Sequence, residues 1–233
     1  MKLEPISREK KKFYVMAVIV SLFTTFTVCQ NLFEMKTLGT ENFAFGGGGV
    51  MLSWATFMLM DIATELFGKK DTMRIYTFAG IVNLFIVIVA QIIIAIPGVY
   101  PEQNEAFTLI FSNGIRTAFA SFAAFWVGNF VNMQVMLKLR AVDKKGTKFM
   151  LFVRAVLSTI FGQFVDDGLF AVLAFAPIGI SEFEMTWKDI LTSSLVGVFN
   201  ETVIETIWMP LITLPVISKL RPLFTEEVPS SAN

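Results

Sequence analysis

The sequence predicts an all-α polytopic membrane protein with six transmembrane helices and both termini in the cytoplasm. Three observations support this fold class. Of the 233 residues, 55% are hydrophobic and only 16% are charged, whereas a soluble domain usually carries about a quarter charged residues. The apolar residues fall into six runs of about 20 or more residues, each long enough to cross a bilayer as a helix. Basic residues are concentrated on one side of these runs.

The spans are predicted to follow one another with only short loops between them. A cytoplasmic tail, 1–12, precedes a transmembrane domain, 13–217, and a second cytoplasmic tail, 218–233, follows it. This leaves no room for a catalytic or nucleotide-binding domain outside the membrane. The predicted spans run roughly over 13–33, 49–67, 75–97, 107–137, 149–176 and 190–217.

The first two spans each need a local argument. The basic start and the apolar run from Phe13 could be a secretory signal, but the run is longer than a usual signal core and no small-residue cleavage site follows Cys29-Gln30-Asn31. A membrane helix is therefore favoured. Before the second span, glycines 46–49 predict a flexible external loop, or else a close approach of backbone to a ligand or a neighbouring helix.

The basic residues determine the predicted orientation. Lys36 and Lys188 are the basic residues of the opposite loops, and Arg116 and Arg154 lie within spans. By the positive-inside rule, both termini are cytoplasmic and the number of spans is even, as expected for a multi-pass membrane protein. Fifteen of the 19 basic residues are on the cytoplasmic side: Lys2, Arg8, Lys10, Lys11, Lys12, Lys69, Lys70, Arg74, Lys138, Arg140, Lys144, Lys145, Lys148, Lys219 and Arg221.

The residue inventory excludes several kinds of chemistry. The chain has no histidine, and Cys29 is its single cysteine, so a zinc site of the usual kind, an internal disulfide and a Ser-His-Asp or Cys-His nucleophile cannot be built. No loop has a basic patch with interleaved aromatics, so nucleic acid is not an expected partner. We expect no metal and no cofactor, and the expected partners are the lipid bilayer and a small molecule.

Ionisable residues within the predicted spans are the candidates for function. A charge at the centre of a membrane helix costs on the order of 2.5–3.5 kcal/mol on insertion scales. Six acids cannot all pair with one arginine, so some must be protonated, hydrated, near an interface, or matched by a ligand that brings donors or positive charge. The alternative is that these groups pair with one another and stabilise the bundle. The residues are Asp61, Glu65, Arg116, Asp166, Asp167, Glu201 and Glu205.

Helical spacing predicts which polar residues share a face. Asp61 and Glu65 are four residues apart. In the fourth span, Arg116 begins a stripe of small residues, which is typical of close helix packing. By depth, Arg116, Gln163, Asp166 and Glu201 are predicted to line one cavity. The three stripes are Arg116, Ala120, Ala124 and Gly128; Thr159, Gln163, Asp166 and Phe170; and Ser194, Gly197, Glu201, Glu205 and Trp208.

Several motifs occur in an order that resembles a known family. Asn31 and Lys36 precede a glycine-containing loop and the segment Asp61-Ile62-Ala63-Thr64-Glu65-Leu66-Phe67-Gly68-Lys69-Lys70. Arg116 and Ala120-Ser121 follow, and then Ser158-Thr159, Gln163, Asp166 and Phe170, with Pro210 near the end of the last span. This pattern is similar to that of the queuosine precursor transporter family, also called the vitamin uptake transporter-like family. It covers the chain from about Asn31 to Pro215.

The resemblance implies a six-helix inner-membrane importer, not an enzyme. Its cargo would be a 7-deazaguanine base such as 7-cyano-7-deazaguanine, its aminomethyl analogue or queuine. The chain departs from the family pattern at Trp54, where a proline is expected, at Asn129 and Asn132, where a Gln-x-x-Asp pair is expected, and at Asn200, where a lysine is frequent. The resemblance and the polar stripes together give these substrate-binding candidates: Asn31, Asp61, Glu65, Arg116, Ser121, Gln163, Asp166, Asn200, Glu201 and Glu205.

The chemistry of the base suggests roles for some of these residues. A deazaguanine ring has two adjacent N–H donors, which a carboxylate such as Asp166 or Glu201 accepts well. Arg116, Gln163 or Asn200 would donate to the ring carbonyl. The surplus acid suits either a cationic aminomethyl substrate or a coupling proton, and the sequence leaves both open.

Three other functions also stay open, as does a homodimer. They are a substrate-binding subunit of an energy-coupling vitamin transporter, a carboxylate-dependent intramembrane enzyme, and a structural membrane protein.

Overall fold

The computed structural model describes residues 7–40, 43–111, 115–143, 146–178 and 184–225. Over these residues the chain is a bundle of helices with one short β-hairpin. The elements are α1 (Arg8–Phe33), β1 (Thr37–Thr40), β2 (Phe43–Gly47), α2 (Val50–Phe67), α3 (Lys69–Ala95), α4 (Pro101–Phe111), α5 (Ile115–Val142), α6 (Lys148–Phe175), α7 (Trp187–Trp208), one π-helical turn (Met209–Thr213) and α8 (Leu214–Phe224).

Several helices begin at residues that cap free backbone N–H groups. The hydroxyl of Thr147 accepts a hydrogen bond from the backbone N–H of Met150 at 3.2 Å, and the hydroxyl of Thr186 does the same for Asp189 at 3.2 Å. Such caps satisfy donors that the first helical turn leaves without partners. Between α2 and α3, Gly68 has a φ of 75°, a value that favours glycine and ends one helix directly before the next.

Helix α2 lies at the centre of the bundle. Every residue from Ala55 to Leu66 is buried, whereas α1, α3 and α7 each expose a large apolar surface. A helix that is covered on all sides belongs in the interior of a bundle. The residues of α2 contact α1, α3, α5, α7 and α8, so its polar side chains are positioned to meet groups from several helices.

Helices α5 and α6 approach each other closely at two glycines. A Cβ atom added at Gly128 would lie 2.7 Å from Cβ of Asp166 and 3.0 Å from the Gly162 carbonyl oxygen, and one added at Gly162 would lie 2.7 Å from Cβ of Asn132. Ala120 and Ala124, on the same stripe as Gly128, are 2% and 0% exposed. The predicted packing stripe is thus confirmed, and it brings the polar residues of α5 and α6 together.

The all-α membrane prediction is confirmed, but the number of spans is not. Within the described residues, five helical segments are long and apolar enough to cross a membrane: α1, α2, α3, α6 and the continuous stretch Trp187–Phe224. Helix α5 is long enough, with 28 residues, but it is not among these five segments. Polar residues such as Asn129 and Asn132 lie within it and make it less apolar than they are. The predicted fourth span, 107–137, corresponds to two helices, α4 and α5. Six spans and cytoplasmic termini stay predictions.

The last predicted span is longer than expected and contains a π-helical turn. Pro210 has no backbone N–H and cannot complete the regular hydrogen-bond ladder. The chain accommodates it in the wider turn Met209–Thr213, where Leu214 donates to the carbonyl of Met209. Such turns are common at functional sites of membrane and soluble helices.

The glycine-rich segment packs against the end of α1. A Cβ atom added at Gly48 would lie 3.2 Å from the carbonyl carbon of Phe33 and 3.3 Å from the carbonyl oxygen of Lys36, and one added at Gly49 would lie 2.8 Å from the carbonyl oxygen of Gln30. The close-approach alternative is therefore correct for Gly48 and Gly49, and the neighbour is helix α1.

Candidate functional site

Carboxylates of α2, α6 and α7 interact electrostatically in the interior of the bundle, and together they form what we call the acid row. Asp61 and Glu205 interact electrostatically, as do Glu205 and Glu201. Glu201 also interacts electrostatically with Asp166, with Asp167 and with Glu34, which lies just beyond α1. The sequence predicted helix faces rich in acid, and the structure joins those faces into one row.

Asp61 is held by neutral polar neighbours. It is 0% exposed, and the hydroxyl of Ser158 donates to its Oδ1 at 3.3 Å. The side chain of Asn132 lies beside it, whereas its Oδ2 has no hydrogen-bond partner within the described residues. Asp61 is therefore a buried carboxyl group with a donor for one oxygen and none among the described residues for the other.

Glu205 has a less polar environment. It is 1% exposed, and neither of its carboxyl oxygens has a hydrogen-bond partner in the part of the chain that the structure describes. The hydroxyl of Thr159 lies next to it, but its charged neighbours, Asp61 and Glu201, are acidic. A buried carboxyl group without a positive partner is disfavoured as an anion, so Glu205 is suited to hold a proton.

Gln163 brings an amide to the same interior. It is 0% exposed, and its Oε1 accepts a hydrogen bond from the hydroxyl of Thr202 at 3.4 Å. Its Nε2 group has no hydrogen-bond partner among the described residues. A buried amide N–H without a partner costs free energy, which a ligand carbonyl would recover.

Glu201, Asp166 and Asp167 continue the acid row at the interface between α6 and α7. Glu201 is 9% exposed and lies beside Ser53 of α2. Asp167 packs against Gly197 of α7, and its backbone carbonyl accepts a hydrogen bond from Ser194 at 3.4 Å. These contacts place acids of α6 and α7 face to face across a narrow helix interface.

Glu34 ends the row at the glycine-rich segment. Much of the residue is exposed, but its carboxyl group lies against Gly47 and Gly49. This burial raises the pKa of Glu34, and a smaller opposing effect comes from the backbone N–H of Gly49, which donates to the carboxylate. Glu34 therefore lies where an acid of the interior row meets the outside of the bundle.

Glu65 lies at the other end of the row and contacts three arginines. Its Oε2 is 3.5 Å from Nη2 of Arg154 and 3.7 Å from Nη1 of Arg140, and its Oε1 contacts Arg221. Arg140 also donates to the backbone carbonyl of Glu65 at 3.2 Å. One carboxylate thus joins α2, α5, α6 and α8, which favours the structural alternative for Glu65.

Arg116 also makes helix-to-helix contacts. Its Nε donates to the carbonyl of Leu173 at 2.7 Å, and its Nη2 donates to the carbonyl of Ala176 at 3.2 Å. These carbonyls lie at the C-terminal end of α6, where the helix leaves acceptors unsatisfied. Leu173 lies seven residues after Asp166, which is about 10 Å along the helix, so these contacts direct the guanidinium away from the acid row.

Asn31 and Ser121 form a separate pair. The hydroxyl of Ser121 donates to Oδ1 of Asn31 at 3.3 Å. Asn31 and Asn83 line a cavity of about 30 Å³ between α1, α3 and α4, which is enough for a water molecule but not for a purine. The structure therefore divides the predicted binding residues among the acid row, the arginine cluster and this small cavity. Asn200 is half-buried on α7 beside Glu201. Substrate binding by the predicted binding residues stays a prediction.

Sequence reasoning missed several partners of the acids. Arg154 is 2% exposed and pairs with both Glu65 and Asp143. It lies within a predicted span but was not included among the ionisable residues considered for function. Asn132 was named only as a departure from the family pattern, although it lies four residues after Gly128 and so continues the packing stripe by one turn. Trp54, at a departure from the family pattern, stacks on Trp208 with ring centroids 5.4 Å apart, a pairing between helices that spacing alone does not predict.

The comparisons with known proteins identify a family. A family model described as "Putative vitamin uptake transporter" matches residues 47–215. No curated protein matches the chain, and no solved structure does. The matched residues span α2 to the start of α8 and include the acids of α2, α6 and α7. Since the match covers well over half of the 233 residues, the chain belongs to this family, and it is a multi-pass membrane transporter of the vitamin-uptake type.

Proposed function

We propose that this transporter imports a 7-deazaguanine base, such as 7-cyano-7-deazaguanine, its aminomethyl analogue or queuine, across the cell inner membrane. The observation that supports this most is the buried polar interface between α6 and α7, where Gln163 has an amide N–H without a partner among the described residues and contacts Thr202, the residue that follows Glu201 in α7. Acceptors and a donor in one buried place match the edge of a deazaguanine ring.

The roles follow from the direction of each hydrogen bond. The ring N–H and the exocyclic amine donate two parallel hydrogen bonds, which the carboxylate of Glu201 or Asp166 accepts. Nε2 of Gln163 donates to the ring carbonyl. An aminomethyl group on the ring would carry a positive charge, and the remaining carboxylates of the row would then neutralise it.

The tight packing implies that the base enters after a rearrangement. Gln163 is 0% exposed and Glu201 is 9% exposed, so a base reaches them when α7 moves away from α6. The π turn at Met209–Thr213 is a suitable hinge, because its hydrogen bonds already depart from the regular helical pattern. The described arrangement corresponds to a closed state in this proposal.

A thermal-shift screen of the purified protein tests the substrate class. We expect 7-cyano-7-deazaguanine, its aminomethyl analogue or queuine to raise the melting temperature more than guanine does, because a ligand that binds only the folded state stabilises it. In Gln163→Leu and Glu201→Gln, affinity for the base should fall about tenfold or more, because each variant loses a hydrogen bond to a buried partner.

Thr27→Val is the matched control for folding. Thr27 is 3% exposed and donates to the carbonyl of Phe23 within α1, away from the acid row, so its variant should bind the base like the wild type. Stabilisation by none of the four bases would contradict the proposal. Reconstitution of the protein alone in liposomes separates a complete importer, which takes up the base, from a substrate-binding subunit of an energy-coupling transporter, which binds it without transport.

A further inference from the structure

We propose that Asp61, Glu205 and the neutral polar side chains beside them bind a sodium ion between α2, α5, α6 and α7. The site is separate from Gln163, Glu201 and Asp166, to which the contacts with the base are assigned. The binding of the ion is a property of the protein alone. Its role in transport rests on the proposed import and deepens it, since it identifies the ion that drives uptake.

Helix α6 holds Asp61 and Glu205 at the same level of the bundle. The hydroxyl oxygen of Ser158 lies 3.3 Å from Oδ1 of Asp61, and the next residue of α6, Thr159, lies next to Glu205. Consecutive residues of a helix differ in height by only about 1.5 Å. The two carboxyl groups therefore approach α6 from different sides at one height.

The contact between α6 and α7 gives the same register. Gln163 accepts a hydrogen bond from Thr202 at 3.4 Å, and the two helices run in opposite directions. One turn further, on the same faces, α6 presents Thr159 and α7 presents Glu205. The position of Glu205 beside Thr159 thus follows from helix packing.

Helix α5 brings Asn132 to the same place. A Cβ atom added at Gly162 would lie 2.7 Å from Cβ of Asn132 and 3.0 Å from Cε1 of Phe57, so α2, α5 and α6 meet there. One helical turn separates this contact from the contact between Asp61 and Ser158. The side chain of Asn132 extends along that turn and lies beside Asp61.

Five side-chain oxygens of this site have no hydrogen-bond partner within the described residues. They belong to four side chains that are at most 1% exposed, and buried polar atoms without partners cost free energy. Two of the side chains, Asn132 and Thr159, are neutral, so an excess of acid does not by itself explain the unpaired oxygens. The five atoms are Oδ2 of Asp61, Oδ1 of Asn132, Oγ1 of Thr159 and both carboxyl oxygens of Glu205.

The charged groups around the site do not neutralise its two acids. The described charged neighbours of Glu205 are Asp61 and Glu201, which are both acidic. Arg154 interacts with Asp61 but is already paired with Glu65 at 3.5 Å. Burial disfavours the charge on both carboxyl groups, so a mobile positive charge has to accompany them.

Hydrogen bonding does not compensate Asp61 either. The hydroxyl of Ser158 lies 2.9 Å from the carbonyl oxygen of Ala155 and 3.3 Å from Oδ1 of Asp61. The hydrogen bond to Asp61 is therefore the weaker of the two.

A metal cation accounts for more of these oxygens than a proton does. A proton on Glu205 neutralises that group but leaves the oxygens of Asn132 and Thr159 without partners, whereas a cation takes carboxylate, amide and hydroxyl oxygens together as ligands. The cation and the proton compete for Glu205.

The composition and packing of the site indicate which cation it binds. Sites built only of oxygen suit hard cations. Mg²⁺ usually keeps several of its waters, which a set of side chains at most 1% exposed disfavours. The close contact at Gly162 favours Na⁺ over the larger K⁺. Coupling-ion sites of secondary transporters likewise lie between helices within the membrane.

The melting temperature of the purified protein, measured without any base, tests the site. NaCl replaces choline chloride at constant ionic strength, and KCl does so in a parallel series. We expect the melting temperature to rise with sodium to a plateau, because an ion that binds only the folded state stabilises it, and to rise less with potassium. Equal melting temperatures in NaCl and choline chloride, or in NaCl and KCl, would overturn the proposal.

Thr159→Val and Thr27→Val form a matched pair for locating the ion. Both variants replace a buried threonine, but the hydroxyl of Thr27 is bonded to the carbonyl of Phe23 at 2.8 Å, whereas that of Thr159 has no partner among the described residues. The sodium concentration that gives half of the stabilisation should rise about tenfold or more in Thr159→Val and in Asp61→Asn, and stay unchanged in Thr27→Val. A wild-type sodium response in both Thr159→Val and Asp61→Asn would overturn the site.

Uptake into liposomes tests the role of the ion and separates the two proposals. With an inward sodium gradient the wild type should accumulate radiolabelled 7-cyano-7-deazaguanine, and replacement of sodium by choline should abolish the accumulation. If sodium stabilises the protein but none of the bases binds, the substrate class is wrong and the sodium site stands. If the base accumulates equally well with and without sodium, the proposed import stands and the coupling role of sodium is wrong.

Discussion

Nη2 of Arg154 lies 3.5 Å from Oε2 of Glu65, and both side chains are almost fully buried, at 2% and 0% exposed. Arg140 and Arg221, which contact the same carboxylate, are 43% and 38% exposed. Glu65 and Arg154 therefore form the desolvated centre of the cluster. Removal of one partner from such a pair leaves the other charge buried without compensation.

Glu65→Gln should consequently destabilise the protein by about 3–5 kcal/mol. The measurement is the free energy of unfolding in a mild detergent, compared with that of Glu102→Gln, which alters an exposed acid on α4 and should change little. Equal stability of the two variants would show that Arg154 finds other partners.

The glycine contact between α5 and α6 predicts a contrast between two alanine variants. Gly128→Ala should destabilise the bundle by about 1–3 kcal/mol, because the added methyl group overlaps Asp166 and the Gly162 backbone. Gly168→Ala, on α6, has no atom of the described residues within 4 Å of its added Cβ and should be neutral or stabilise the helix by up to about 1 kcal/mol. Thermal unfolding of both variants checks this, and a stable Gly128→Ala would show that the two helices can separate without cost.

The contacts of Arg116 predict that its variants act through stability. Arg116→Ala should lose about 1.5–3 kcal/mol, because two carbonyls at the end of α6 lose a charged donor. Arg74→Ala is the control, since Arg74 is 75% exposed and pairs only with Asp71 among its described ionic partners. Base affinity measured on the folded fraction of Arg116→Ala should equal that of the wild type. A stable variant that no longer binds the base would instead support the direct role predicted from the sequence.

Glu34 predicts a pH-dependent difference in stability. Its raised pKa means that its ionisation is more costly in the folded than in the unfolded protein, so stability falls as pH rises through that pKa. In Glu34→Gln this contribution is absent. The melting temperature of Glu34→Gln should therefore exceed that of the wild type near about pH 8, and the difference should shrink towards about pH 4. A difference that stays constant with pH would contradict the burial of this carboxyl group.

Sequence reasoning identified the all-α membrane class and most of the acids in the row, because both depend on features that a single helix carries. Long apolar runs and spacings of three or four residues are visible in one dimension. The stripe from Ala120 to Gly128 was found in this way, and its contact with Gly162 confirms it.

What could not be predicted depends on how the helices meet. The contact of Glu65 with arginines of three other helices and the stacking of Trp54 on Trp208 arise from tertiary packing. Arg116 was placed with the acids by its depth, but depth does not determine the direction of a long side chain.

The π turn around Pro210 also sets the rotation of the last helix. Sixteen residues separate Glu205 from Arg221, and in a regular helix they would point about 160° apart. In a regular helix each residue adds about 100° of rotation, but the wider π turn holds one extra residue that adds none. The angle between Glu205 and Arg221 is therefore about 60°. A single helix can therefore direct Glu205 towards Asp61 and Arg221 towards Glu65. If the same residues formed a regular helix, Arg221 would point about 100° away from its present direction while Glu205 stayed in place.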